Sequence, residues 1–215
     1  MKTIAIVSEG ITDQVFLEEL IFQCVDFEEE PEFVYAQPVR DATHQHTAPH
    51  GGWELVFEYC ETRFIDAVQA NDYAIIQIDT DCGDHPNFAL DLSPGGCDKD
   101  DETLVRETID ILKRKVGADL LNRFGEKIIF AVCVHSIESW ILLCVYGADK
   151  KKNSFSHLVR QVGNRDFRKD AQAYEAISQH LRFKNFKLHT DGVGSLAIFI
   201  TDFVSKVEGC SRREK

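Results

Sequence analysis

Four stretches of this chain are short, apolar and almost unbroken, and most of the longer stretches between them repeat their apolar residues at helical spacing. The four are Thr3 to Ser8 (TIAIVS), Phe33 to Val39, Tyr73 to Ile78 (YAIIQI) and Lys127 to Val134 (KIIFAVCV). Runs of this length, rich in β-branched residues and with little polar alternation, predict strands buried on both faces. After the first, Thr12 offers an N-cap, and Val15, Phe16, Leu20 and Ile21 predict a helix to about Val25. The same periodicity predicts helices over Trp53 to about Gln69, Asp101 to Arg123 and Ile137 to Val145. It continues near Phe155 to Val162, Ala171 to Leu181 and Ser195 to Val207. Strands alternating with helices predict an α/β fold, with a mostly parallel sheet covered on both faces. Beyond the fourth strand no further strand is evident. The expected organisation is an α/β domain over 1–148 and a helical C-terminal part over 149–215, which either completes the layers or forms a small subdomain.

Composition narrows the picture in three ways. No apolar run reaches the roughly 18 to 20 residues that span a bilayer. The N-terminus runs straight into a strand without a signal-peptide pattern, so a cytoplasmic protein with no membrane partner is expected. The seven cysteines are odd in number, and none pair as CxxC, which argues against a disulfide framework and a four-cysteine zinc site. Net charge is −12, yet between Asp149 and Lys187 ten Lys or Arg face four Asp or Glu. Such asymmetry allows a basic face on an acidic body. Lys150, Lys151, Lys152, Lys184 and Lys187 are its candidate nucleic-acid contacts.

Chemistry concentrates where the strands end. The first runs into Glu9, the third into Asp79 and Asp81, and the fourth into Ser136-Ile137-Glu138. In an open parallel sheet, ligands bind outside the carboxyl ends of the strands, so residues distant in sequence meet on one rim. Clustered carboxylates repel one another, and either hold protons or recruit a cation. Oxygen ligands of this kind suit Mg²⁺ or Mn²⁺. Asp13, four residues after Glu9, is placed to face the same rim or to serve the helix dipole. Two long polar loops flank these ends: one with His44, His46, His50 and Gly51-Gly52, the other from Cys82 to Asp100. Backbone amides at Gly51-Gly52 are candidates for holding phosphate.

Ser8-Glu9-Gly10-Ile11-Thr12-Asp13 resembles the Glu-Gly-x-[Ser/Thr]-Asp element of TOPRIM domains, and Asp79-Thr80-Asp81 resembles their Asp-x-Asp element. Ser136-Ile137-Glu138 is similar to the Ser-x-Glu element of the OLD-family nuclease branch. The resemblance covers about residues 1 to 146 and keeps the motif order. It implies a Rossmann-like sheet and Mg²⁺-dependent hydrolysis of phosphodiester bonds in DNA or RNA, in phage defence or repair. It further implies Asp79 and Asp81 as metal ligands, Glu138 as a ligand of the same or a second metal, and Glu9 as ligand or general base. OLD proteins carry an ATPase domain ahead of the TOPRIM part. Here there is no GxxxxGK[ST] loop, so any ATPase is expected to be a separate chain or to be absent, and a homodimer is the other assembly considered. The competing expectations are a regulatory or binding module with a weak site, and a receiver-like phosphate-accepting pocket.

Overall fold

The four apolar runs pair as parallel strands, β1 (Thr3–Val7), β2 (Glu32–Gln37), β3 (Tyr73–Asp79) and β4 (Ile128–Cys133), in the order β2-β1-β3-β4. The computed structural model describes residues 1–40, 51–181 and 194–211. Helices α1 (Ile11–Cys24), α2 (Trp53–Thr62), α3 (Phe64–Ala70), α4 (Asp101–Val116) and α5 (Ala118–Phe124) lie between the strands. After β4 follow α6 (Ile137–Tyr146), α7 (Ser154–Val162), α8 (Ala171–Ser178) and α9 (Ser195–Ser211). The fold is α/β, with an all-parallel sheet flanked by helices. No helix among the described residues is long and apolar enough to cross a membrane.

The period of two along each strand divides the interior into two cores. Ile4, Ile6, Ile75 and Ile129 face Phe16 and Leu20 of α1, Trp140 of α6, Tyr174 of α8 and Phe199 of α9. Ala5, Val7, Ile76, Ile78 and Val132 face Phe57 of α2, Val68 of α3 and Leu104 and Leu112 of α4. Each fully buried large side chain contributes about 1.5 to 3 kcal/mol of transfer free energy. The helices after β4 therefore share the first core with α1, and α9 lies along β4, where Lys206 Nζ bonds the Ile128 carbonyl at 2.7 Å.

Two expectations need correction, and two helical stretches are each divided in two. β2 is not buried on both faces: it is an edge strand, and Val34 is 38% exposed. Thr12 is not the cap of α1, because the backbone stays extended through Gly10 (φ −150°, ψ 167°) and the helix starts at Ile11. The stretch after Trp53 is two helices, broken where Arg63 leaves helical geometry at φ −132° and ψ −2°. The long helix after Asp101 is broken at Gly117, whose φ of 86° lies in the left-handed region that glycine adopts without steric penalty.

The chain passes from β1 outward to β2, then crosses back to place β3 on the other side of β1 and β4 beyond it. The order thus reverses between β1 and β3. At such a switch point the loops leave in opposite directions and open a crevice at the carboxyl ends.

Candidate functional site

Glu9 follows β1 and Asp79 ends β3, so the two flank the switch point. They are joined directly: the Asp79 backbone N–H donates to Glu9 Oε1 at 2.7 Å. On the backbone side, Gln77 Oε1 accepts the Glu9 N–H at 3.1 Å, and the Gly52 N–H donates to the Glu9 carbonyl at 2.8 Å. A Cβ at Gly51 would lie 2.2 Å from that carbonyl oxygen, so the close approach admits only glycine there. The Gly52 amide is therefore taken by Glu9, which corrects the expectation that it waits for phosphate.

Asp79 Oδ1 accepts from Gln77 Nε2 at 2.8 Å and from the Ile137 N–H at 3.1 Å. It caps α6, whose own Ser136 side chain does not. This bond brings Glu138, in the first turn of α6, to the same end of the sheet. Glu138 is 1% exposed and fully partnered. Ser136 Oγ and the Tyr174 hydroxyl donate to its two oxygens, and Lys169 Nζ pairs with it at 2.8 Å. Ser154, at the start of α7, joins the network through Ser136. Asp13 is buried in the first turn of α1, next to Gly10, where a Cβ would come within 2.9 Å of its carboxylate. Asp81 lies two residues past Asp79, exposed, its N–H bonded to the His135 carbonyl at 2.9 Å.

These acids differ in how they hold protons. Burial, reinforced by Asp13 and Asp81, pushes Glu9 up to about 8 against the Asp79 hydrogen bond. Burial and the charge of Glu138 push Asp13 up to about 7. Asp79 is raised well above the carboxylate range by burial, then by Glu9, Asp13 and Glu138. At Glu138 burial pushes the same way, but the Lys169 ion pair and the Ser136 and Tyr174 hydrogen bonds outweigh it and hold the carboxyl below its ordinary value. Burial opposes the charge on Lys169, but Glu138 prevails and its ammonium titrates above an ordinary lysine. The site is thus a carboxylate cluster, largely shielded from water, in which the close cation among the described residues, Lys169, is bonded to Glu138.

As the side chains stand, no group of three or more His, Cys, Asp or Glu among the described residues is gathered to hold a metal ion. Glu9 turns toward the Asp79 N–H, and Glu138 toward its own donors. The chemistry of the donor set still fits a hard divalent cation. Glu9, Asp13 and Asp79 carry carboxylate oxygens, the donor type such a cation takes, at the carboxyl end of the sheet, and they bind protons more tightly than free carboxylates do.

Lys169, Tyr174 and Ser154 are the residues that sequence reasoning missed. Lys169 was visible only as one charge in a basic stretch, and Tyr174 only as an apolar position of a helix. Among the expected nucleic-acid contacts, Lys150 is exposed, whereas Lys151 pairs with Asp101 at 2.9 Å and Lys152 with Asp98 at 2.5 Å. Asp84 accepts the Leu92 N–H at 3.0 Å and stabilises its own loop. Lys184, Lys187, His44, His46 and His50 lie outside the described residues. No family model matches the chain, and no curated protein or solved structure matches it.

Proposed function

We propose that this chain is a TOPRIM-type nuclease that hydrolyses phosphodiester bonds of DNA or RNA with Mg²⁺ or Mn²⁺, acting in the cytoplasm. One observation carries the reading: the carboxylates of Glu9, Asp13 and Asp79, largely shielded from water, act electrostatically on one another at the switch-point end of the sheet, with Lys169 paired to Glu138 beside them. Glu9, Asp79 and Asp81 would hold the cation, with Asp13 and Glu138 beside them. Bound there, it supplies an activated water and neutralises charge on the phosphate.

The chain's own residues supply the rest. Lys169 is half-exposed, so its remaining donors are free to meet a phosphate oxygen while Glu138 fixes its position. A prepositioned cation beside developing negative charge is worth several kcal/mol in a site from which water is excluded. Ser136 and Tyr174 hold Glu138 in place, and Gln77 does the same for Asp79. Glu9 is either a ligand of that cation or the general base, and its raised affinity for protons without metal suits the second role near neutral pH.

The test is incubation of single- and double-stranded DNA and RNA with the protein in Mg²⁺, in Mn²⁺ and in chelator. Metal-dependent cleavage, lost in Asp79→Asn and in Lys169→Met, is the expected result. No cleavage by the wild type, or equal cleavage by Asp79→Asn, counts against the reading.

A second reading is a catalytically weak binding module that works with a separate ATPase chain. It is favoured by the arrangement in which both oxygens of Glu138 are occupied and the described acids do not converge on one point.

A further inference from the structure

Beside the acids lies a cavity of about 660 Å³, formed by the 84–101 segment, the end of β4 and the connection into α7. It is within the size range of small-molecule sites. It adjoins the acidic rim through His135, whose carbonyl holds the N–H groups of Thr80 and Asp81 and whose own N–H bonds Thr80 Oγ1 at 2.8 Å. His135 sits at φ 64°, a conformation uncommon for a residue with a side chain, and it is half-buried in the cavity wall. Among the described residues its imidazole has no hydrogen-bond partner.

The rest of the wall selects against a bare anion. Lys151 and Lys152 are ion-paired with Asp101 and Asp98, and Lys99 with Glu107 at 2.7 Å. Asp100 is occupied in capping α4 through the Thr103 N–H. A ligand therefore meets lysines that are already paired, Asp84 and Asp100 without an ion pair among the described residues, and the apolar side chains of Leu92, Leu104 and Val134. A flat, neutral ring with hydrogen-bonding edges satisfies that lining, and a phosphate does not.

We propose that this cavity receives an unpaired nucleobase of a single strand whose backbone lies across the acids. The strand's course rests on the nuclease reading; the base pocket itself does not require cleavage. A base in a duplex is stacked and paired, and would have to be extruded to enter.

The test is therefore a binding measurement in chelator, where no metal chemistry occurs. Fluorescent 12-residue single strands, the matching duplex and a 12-residue strand lacking every base are titrated with wild type, His135→Asn and Ser93→Trp. Asparagine tolerates the left-handed backbone, so His135→Asn removes the ring at little backbone cost. Ser93→Trp fills the cavity from its rim, and a thermal melt of each variant checks folding. The base-bearing single strand is expected to bind wild type at least tenfold more tightly than the duplex or the baseless strand. Both variants should lose that preference.

Equal affinity for the base-bearing and baseless strands, or unchanged affinity in both folded variants, overturns the proposal. So does displacement of the strand by micromolar mononucleotide, which assigns the cavity to a free nucleotide. Base-dependent binding without cleavage in Mg²⁺ sinks the nuclease reading and leaves the pocket standing. Cleavage without base dependence does the reverse.

Discussion

Two groups of carboxylates occupy the same end of the sheet and live under opposite rules. Around the start of α4, Asp98 and Asp101 each face a lysine, and Asp100 caps the helix. Asp98 and Asp100 are exposed, and their partners hold them below their ordinary values. At the strand ends, Glu9, Asp13 and Asp79 face one another from three elements, largely shielded from water, with proton affinities raised instead. The first group is arranged for its own stability. The second stores a repulsion that a stable fold gains nothing from, and that a bound cation would remove. Glu138 stands between them, buried like the second group and paired like the first.

The largest expected effect comes from breaking that intermediate case. Lys169→Met leaves Glu138 buried without its cation. Removing one partner of a fully buried pair costs roughly 3 to 5 kcal/mol, and half-exposure of Lys169 lowers this to about 2 kcal/mol. Urea unfolding of the variant measures it. A loss below about 0.5 kcal/mol would place the pair with the exposed ones around α4.

Asp79→Asn is expected to act in the other direction. It keeps an acceptor for the Ile137 N–H while removing a carboxyl that burial and its acidic neighbours keep from ionising. In metal-free buffer its stability should equal or exceed wild type by about 1 kcal/mol, a rise of about 2 to 4 °C in Tm for a chain of this size. It should also lose the Tm increase that Mg²⁺ or Mn²⁺ gives wild type by binding only the native state.

Stability without metal should also depend on pH in a direction unusual for carboxylates. Glu9 and Asp13 titrate near 4.5 and 3.8 when unperturbed, and near 8 and 7 in the folded chain. Between these limits the native state holds protons that the unfolded chain has released. Their contribution is present at low pH and is lost as pH rises through about 7 to 8. Thermal melts from pH 5.5 to 8.5 should show a decline that Asp13→Asn reduces. A decline of equal size in Asp13→Asn would contradict the assignment.

What the sequence disclosed and what it concealed follow the same division. β1, β3 and β4 were legible because double burial leaves an unbroken apolar run, and the acids at their ends were legible because a parallel sheet collects strand ends on one rim. Asp13 was legible from helical spacing. Nothing local distinguishes Lys169 from its neighbours in the basic stretch, since its meaning comes from α8 packing on α1 and α6. Tyr174 reads as core, and it is core, with a hydroxyl that happens to end at Glu138. β2 looked like its sisters because sequence shows hydrophobicity and not which strand is left uncovered: β4 also ends the sheet, but α9 and α4 pack against it. The breaks at Arg63 and Gly117 are backbone choices that the apolar period passes over.

The smallest stability effects belong to the exposed pairs. Lys152→Ala should change folding stability by less than about 0.5 kcal/mol, since the pair is more than half exposed. Replacing Lys150, Lys151 and Lys152 together by Glu should nonetheless weaken nucleic-acid binding alike on every sequence and flatten its salt dependence. Unchanged affinity at low salt would make this stretch a solvated surface.

The contrast between the two carboxylate groups is tested most directly by calorimetric titration of metal-free protein with Mn²⁺ at pH 7, in two buffers of different ionisation enthalpy. Saturable binding with release of protons is predicted for wild type, because Glu9 and Asp13 hold protons there that the cation displaces. Asp79→Asn is predicted to show neither. Absence of saturable binding by wild type, or the same binding and proton release in Asp79→Asn, would contradict the account.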